Sequence, residues 1–300
     1  MGEDAAALRA ARFALECDYE YFGQFDGDYG AALDYVAILF GAIGDIYERD
    51  VSVKLALTYI RIWDQANDPY SYVGGDPDGL DEFKDYWNAN HSTPGQPGFI
   101  ERDLAHLLSS RGVGAWSWPG TLCSYDSGYS ISGGNAGGAT PAQSLIHDVY
   151  FAGHEIGHNF DAKHTHCFDP PIDQCATEPS CNDTQDCSTA PSTIMSYCNN
   201  CLGGYANILH QFHALNVARM RSHIDASCLR LARNPSYVDW RNDSYEEGTA
   251  TWPYNTVGEG ADAVVPGGTV SIASGSYPEQ IKITLPMTLK ATGGLVTVGE

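Results

Sequence analysis

The stretch HEIGHNFDAKH, His154 to His164, gathers the residues of this chain best suited to chemistry. His154 and His158 are four apart, so on a helix they stand one turn apart on one face, and both imidazoles reach a single ion at about 2.0–2.1 Å. Glu155 sits one step around from His154, close enough to act on a metal-bound water without ligating the metal, as a general base for hydrolysis must. His164 cannot share that face if the helix continues, so the chain has to turn sharply. Asp161 at the turn tolerates the left-handed conformation that Gly adopts more readily. Three neutral imidazoles and a water make a four-coordinate catalytic zinc that acidifies the water toward a pKa of about 7. His166 rivals His164 as third ligand, because in an extended segment it points the same way; spacing favours His164. A bare HExxH also arises by chance on helix surfaces, and it is the third histidine that separates this stretch from such cases. His147 shares the face of His154 two turns away and reads as a surface or packing residue.

Positioning these groups requires a helix over a sheet. Thr140 as N-cap, Pro141 at the first helical position and Gln143 as the capping-box partner predict where the helix begins. Leu145, Val149, Ala152, Ile156 and Phe160 form a stripe opposite His154 and His158, so one face packs on a sheet and the other faces a cleft. Upstream, ARFALECDYEYF reads as a first strand. Apolar residues at three- and four-residue spacing from Ala31 to Tyr47 predict a helix, and alternation from Val51 to Trp63 predicts a second strand. Strand, helix, strand implies a right-handed crossover and a partly parallel sheet. Residues Asp64 to Gly98 read as a surface excursion with one short helix near Glu82 to Asn90. ERDLAHLLSS fits helix or strand, and the segment from Gly112 to Gly134 yields two short extended pieces. A cysteine-rich loop to Asn200 precedes a last helical pattern from about Gln211 to Ala226. From Asn234 the pattern changes to short strand-like alternations separated by Gly and Pro. The expected division is therefore 1–232 and 233–300, the second a small all-β domain whose rhythm resembles the first rungs of a right-handed parallel β-helix, with a small β-sandwich as the alternative.

The 300 residues, 43% of them hydrophobic and 11% aromatic, suffice for a core. Asp and Glu outnumber Lys and Arg by 38 to 16, a formal charge of -22, which disfavours nucleic acid and anionic membranes as partners. The acidity reads first as solubility, with a saline habitat or bound divalent cations such as calcium as the alternatives. No run of about eighteen apolar residues appears, so no membrane span is expected and the chain reads as soluble. The start, MGEDAAALRAARF, lacks the pattern of a signal peptide. Nine cysteines nonetheless point to disulfides in an oxidising compartment, hence to a secreted protein. The six from Cys167 to Cys201 allow fifteen pairings. Cys17, in the first strand, is the candidate for the unpaired ninth.

HEIGHNFDAKH resembles the HExxHxxGxxH signature of the metzincin zinc endopeptidases, and TIMSY, Thr193 to Tyr197, resembles their Met-turn. The HNF run, the FDGDYGAALDYV region and the GTLC segment are similar to the reprolysin or adamalysin (ADAM-like) branch, over about Arg12 to Leu231. The resemblance implies an α/β (α+β) catalytic domain with a twisted, mixed five-stranded sheet. It makes His154, His158 and His164 the zinc ligands, Glu155 the base and Met195 the apolar floor beneath the metal. Asp161 departs from the pattern, standing where most members have Gly. Tyr197 matches a Tyr that assists the zinc and the oxyanion in other branches. The segment SGYSISGG, with Tyr129, Ser130 and Ile131, would be the edge strand along which a peptide adds. Cys123 and Cys228 match a family disulfide.

The expected activity is that of a secreted zinc metalloendopeptidase of the EC 3.4.24 type, monomeric and acting on polypeptides. Two other readings discriminate themselves by sequence. A non-catalytic adhesion protein on a protease fold would be expected to lose part of HExxH or His164. A carbohydrate-active β-helix would need paired carboxylates that residues 234–300 do not offer at an arguable spacing.

Overall fold

A computed structural model describes residues 8–72, 77–112, 114–133, 141–265, 267–281, 283 and 286–299, the side chains of 141–144 excepted. Thr140, the Gln143 side chain and Gly134, which the sequence singled out, lie outside the described residues.

The first strand, β1 (Arg9–Cys17), ends earlier than its β-forming composition suggests. Asp18 accepts a hydrogen bond from the Tyr21 amide and caps a helical turn, α1 (Tyr19–Gly23), made from residues expected to be strand. Asp28 likewise caps α2 (Tyr29–Val51), whose buried stripe Val36, Leu39, Phe40, Ile43, Ile46 and Tyr47 packs on the sheet. By length and composition α2 would reach across a bilayer, against the expectation of no such segment; its buried stripe accounts for much of that apolar content within a folded domain. Next come β2 (Val53–Ile62), α3 (Asp78–Asn90), β3 (Leu104–Ser109), β4 (Ala115–Ser117), β5 (Tyr129–Gly133) and α4 (Pro141–Asn159).

The strands pair in the order β2-β1-β3-β5-β4, parallel throughout except for the antiparallel β4. This order corrects the expectation for Tyr129, Ser130 and Ile131. They lie in β5, paired with β3 on one side, while β4 covers Ser130 and Ile131 on the other, and all three are buried. The strand at the sheet's edge beside α4 is the shorter β4. His106 in β3 shows how closed this interior is: its ring nitrogens bond the hydroxyls of Ser130 and Ser132, and burial pushes it down to about 3.

Beyond α4 the chain is mostly irregular, with β6 (Ser192–Thr193) pairing β7 (Ile208–Leu209), then α5 (Ala214–Asp225) and β8 (Arg230–Leu231), which adds antiparallel to the start of β1. Disulfides join Cys123 to Cys228, Cys167 to Cys181, Cys175 to Cys198 and Cys187 to Cys201, leaving Cys17 free and buried.

The C-terminal part is not all-β. Parallel strands β9 (Ser236–Val238), β10 (Thr269–Tyr277) and β11 (Thr288–Val298) surround a separate apolar cluster that includes α6 (Val257–Ala263). Thr256 caps α6, and its hydroxyl donates to the Glu259 carboxylate in return. The two parts touch where Lys54 donates to the Val264 carbonyl and Arg230 pairs with Glu259.

Candidate metal centre

Helix α4 is held on both faces. Val149, Ala152, Ile156 and Phe160 enter the core, as expected, but His154 and Glu155 on the other side are also buried, only 2% and 6% exposed. Its last carbonyls are satisfied by the loop before β5: Gly120 N–H donates to His158 O and Leu122 N–H to Asn159 O. The Asn159 side chain donates to Trp118 O, Thr121 Oγ1 and Tyr129 O, tying the helix end to that loop and to β5.

Asp161 adopts φ +70°, with its N–H on His158 O and the Ala162 N–H on Gly157 O. That is a Schellman ending, which usually takes Gly. Arg219 of α5 donates to both the carbonyl and the carboxylate of Asp161. The turn the sequence required is therefore made with Asp, braced from α5. Relief of left-handed strain, about 1–2 kcal/mol, opposes loss of an exposed ion pair worth about 0–1 kcal/mol. Asp161→Gly should thus stay within about 1 kcal/mol of neutral while Asp161→Ala loses about 1–2 kcal/mol in denaturant unfolding. Loss of zinc from the Gly variant would instead make the Arg219 brace part of the site.

Reversal at Asp161 brings His164 back to the helix. The Nε2 atoms of His154 and His158 lie 3.2 Å apart, and those of His158 and His164 3.0 Å apart. Each Nδ1 is committed elsewhere: His154 to Ile194 O at 2.8 Å, His158 to Ala162 O at 2.9 Å, His164 to Glu178 Oε2 at 2.8 Å. Those acceptors carry no hydrogen, so each Nδ1 donates and each Nε2 presents a lone pair. Three lone pairs converging this closely repel one another unless a cation takes them. Ligands of a tetrahedral zinc at about 2.0–2.1 Å stand about 3.3 Å apart, so this donor set fits zinc. Burial lowers all three imidazoles, His158 to about 4, and keeps them in the neutral form a metal needs.

His166, the rival ligand, points away from this cluster and bonds Glu178 Oε2 through Nε2 at 3.0 Å. His147 bonds its neighbour Asp148 and packs on Phe151 and Tyr205. Among the described residues, every other group of three or more potential ligands includes a disulfide cysteine. None is a cluster of carboxylates such as calcium takes, and calcium has no support.

Glu155 lies beside the histidines without joining their Nε2 cluster. Burial pushes its carboxyl up to about 8, against the opposing hydrogen bond that Ser117 Oγ of β4 donates to Oε2 at 2.6 Å. A cavity of about 250 Å³ opens next to it, lined by Ala115, Tyr150, Phe151, His154, Glu155 and Tyr197 among others. The Tyr197 hydroxyl donates to His164 Nε2 at 2.9 Å, the same lone pair a metal would use. Its ring stacks on His154. Partial burial alone would raise the Glu178 carboxyl, but hydrogen bonds from His164 and His166 outweigh it and hold it at about 2.

Met195 is fully buried, and the close approach of Ile194 and Met195 to α4 rests on one glycine each. A Cβ on Gly153 would meet Ile194 Cδ1 at 2.8 Å, and one on Gly157 would meet Met195 Sδ at 2.8 Å and Phe212 Cε1 at 3.1 Å. Helix propensity favours Gly157→Ala by about 1 kcal/mol, whereas overpacking costs about 1–3 kcal/mol. Net destabilisation of about 1–2 kcal/mol is expected in thermal or denaturant unfolding; a more stable variant would mean that Met195 and Phe212 yield freely. Sequence reasoning missed Ser117, Glu178 and these glycines. Only the glycines left a trace, as two small residues four apart on the ligand helix.

No curated protein sequence matches this chain. The Reprolysin_5 profile, described as metallo-peptidase family M12, matches residues 7–209, two thirds of the chain and all of the site just described except the Arg219 and Phe212 contacts. A zinc-dependent peptidase family thus spans strands β1 to β5, α4 and the His cluster together, and this chain is a member of metallo-peptidase family M12.

Proposed function

We propose that this is a secreted zinc endopeptidase of two domains, 1–232 and 233–300, with His154, His158 and His164 as ligands and Glu155 as general base. The observation that carries the reading is the convergence of three lone-pair Nε2 atoms beside a buried carboxylate. Zinc held there would polarise the scissile carbonyl and acidify a water. Glu155 takes the proton of that water and passes it to the leaving amine, with Ser117 fixing the orientation of its carboxyl. Tyr197 stays protonated, because burial raises its phenol well above the ordinary range, so it is a donor available to a developing oxyanion.

The substrate is a polypeptide. β4 pairs only with β5 among the described strands, so its outer edge offers main-chain groups to an extended peptide next to Glu155, and the adjoining cavity takes a side chain. An edge of this kind reads backbone, which suits cleavage within chains. The four disulfides support an oxidising, extracellular setting. Tyr197, His164 and Glu155 all being intact weighs against a binding-only role. Metal analysis of the purified protein, with a chelator-reversible cleavage assay on a complex protein mixture, tests metal and reaction together. One zinc per chain and cleavage restored by zinc are expected; a metal-replete protein holding no zinc would overturn the reading.

A further inference from the structure

Resting on that zinc reading, we propose that Glu178 is a positioning residue for the third ligand: its carboxylate holds His164 with Nδ1 protonated and Nε2 turned to the metal. His154 and His158 are oriented by backbone carbonyls, of Ile194 and Ala162. His164 alone depends on a side chain, and that side chain comes from a loop without regular structure, fourteen residues on.

The loop is built to deliver it. Glu178 exchanges backbone hydrogen bonds with Asn182 in both directions, and the Asn182 side chain bonds the carbonyls of Ala176 and Thr184. Ser180 Oγ donates to the other carboxylate oxygen, Oε1, at 3.0 Å. The Cys167–Cys181 disulfide closes the loop, anchoring it three residues after His164 at one end and three after Glu178 at the other. His166 completes the arrangement. Fully buried and stacked on His164, it donates through Nε2 to the same oxygen, Oε2, that His164 uses. The rival ligand thus orients the carboxylate that orients the true one.

The chemistry follows from general principles. A carboxylate accepting the far N–H of a metal-bound imidazole fixes its tautomer and ring orientation and raises the basicity of the ligating nitrogen. Removing such a partner lowers metal affinity by about 10- to 100-fold. A loop tie with no effect on the metal would leave affinity untouched.

The test is zinc affinity of the full chain, by competition with a chromophoric chelator, for wild type, Glu178→Ala, Glu178→Gln and His158→Ala. Disulfide content is checked by thiol titration. Glu178→Ala should bind zinc about 10- to 100-fold more weakly. Glu178→Gln, which keeps an acceptor for His164 but loses the charge, should show a smaller but measurable loss. In zinc-loaded, ¹⁵N-histidine-labelled protein, the His164 Nδ1 proton should appear as a hydrogen-bonded signal in wild type and vanish in the Ala variant. Wild-type affinity in both Glu178 variants would overturn the proposal even if their melting temperatures fell. Should the Ala variant fail to fold, unchanged affinity in Glu178→Gln overturns it alone. If wild type bound no zinc, or His158→Ala bound it as well as wild type, the zinc reading itself would fail rather than the role of Glu178.

Discussion

Glu155→Gln should retain one zinc per chain and lose peptidase activity, with kcat/KM lower by about 10²–10⁴-fold, the range for a positioned general acid-base. Retention follows from geometry, since the ligand nitrogens belong to His154, His158 and His164 and Glu155 is not among them. A glutamine has the same volume in a site only 6% exposed, and its oxygen still accepts from Ser117, so the fold has no reason to change. What disappears is the group that takes the proton of the attacking water. His158→Ala provides the contrast, because it should lose zinc and activity together. The measurement pairs metal content with hydrolysis of a denatured protein, and undiminished cleavage by a zinc-loaded Gln variant would sink the mechanism.

What the sequence made legible is what a local period dictates. The four-residue step from His154 to His158 sets two imidazoles one helical turn apart whatever lies around them. His164 was chosen over His166 by spacing, and the structure supplies the cause: a left-handed Asp161 reverses the chain so that His164 reaches the helix. Long-range placement left no such mark. The order of strands in a sheet is a property of the whole topology, and residues 130–132 carry nothing to say that a three-residue strand would cover their outer side. Ser117 and Glu178 meet the site across 38 and 14 residues of sequence respectively, through a strand pairing and a disulfide-closed loop. α6 was legible and was missed. Thr256 and Glu259 stand at the spacing of a capping box, and the Thr256 hydroxyl accepts from the Glu259 amide, while Gly258 and Gly260 lower the helix propensity; Gly260 is required because a Cβ there would collide with Val238.

Zinc affinity should vary with pH in two separable steps. In the metal-free protein Glu155, pushed up to about 8 by burial, is protonated at neutral pH. A cation beside it favours the carboxylate, so loading zinc expels that proton. Affinity should then fall as pH drops below about 8, by at most tenfold per unit, and Glu155→Gln should abolish this slope. The imidazoles act later. An exposed histidine begins to compete for protons near pH 6.5, but burial holds His158 down to about 4 and lowers His154 and His164 as well. Affinity in Glu155→Gln should therefore hold below the pH at which an exposed histidine protonates and drop most steeply as the pH nears the value of about 4 to which burial holds His158. Folding of the Glu155→Gln variant, free of the raised carboxyl whose linkage runs the other way, follows the histidines with the same sign. Between about 6.5 and 4 the unfolded chain binds more protons at these histidines than the folded one, so their contribution, complete above 6.5, is lost as pH falls toward 4. Chelator competition in buffers from pH 8 to 4, with circular dichroism alongside, separates release from unfolding. A Gln variant that already releases zinc through pH 6.5 while folded would mean that water reaches the three imidazoles freely, and the closed site inferred from their burial would be wrong.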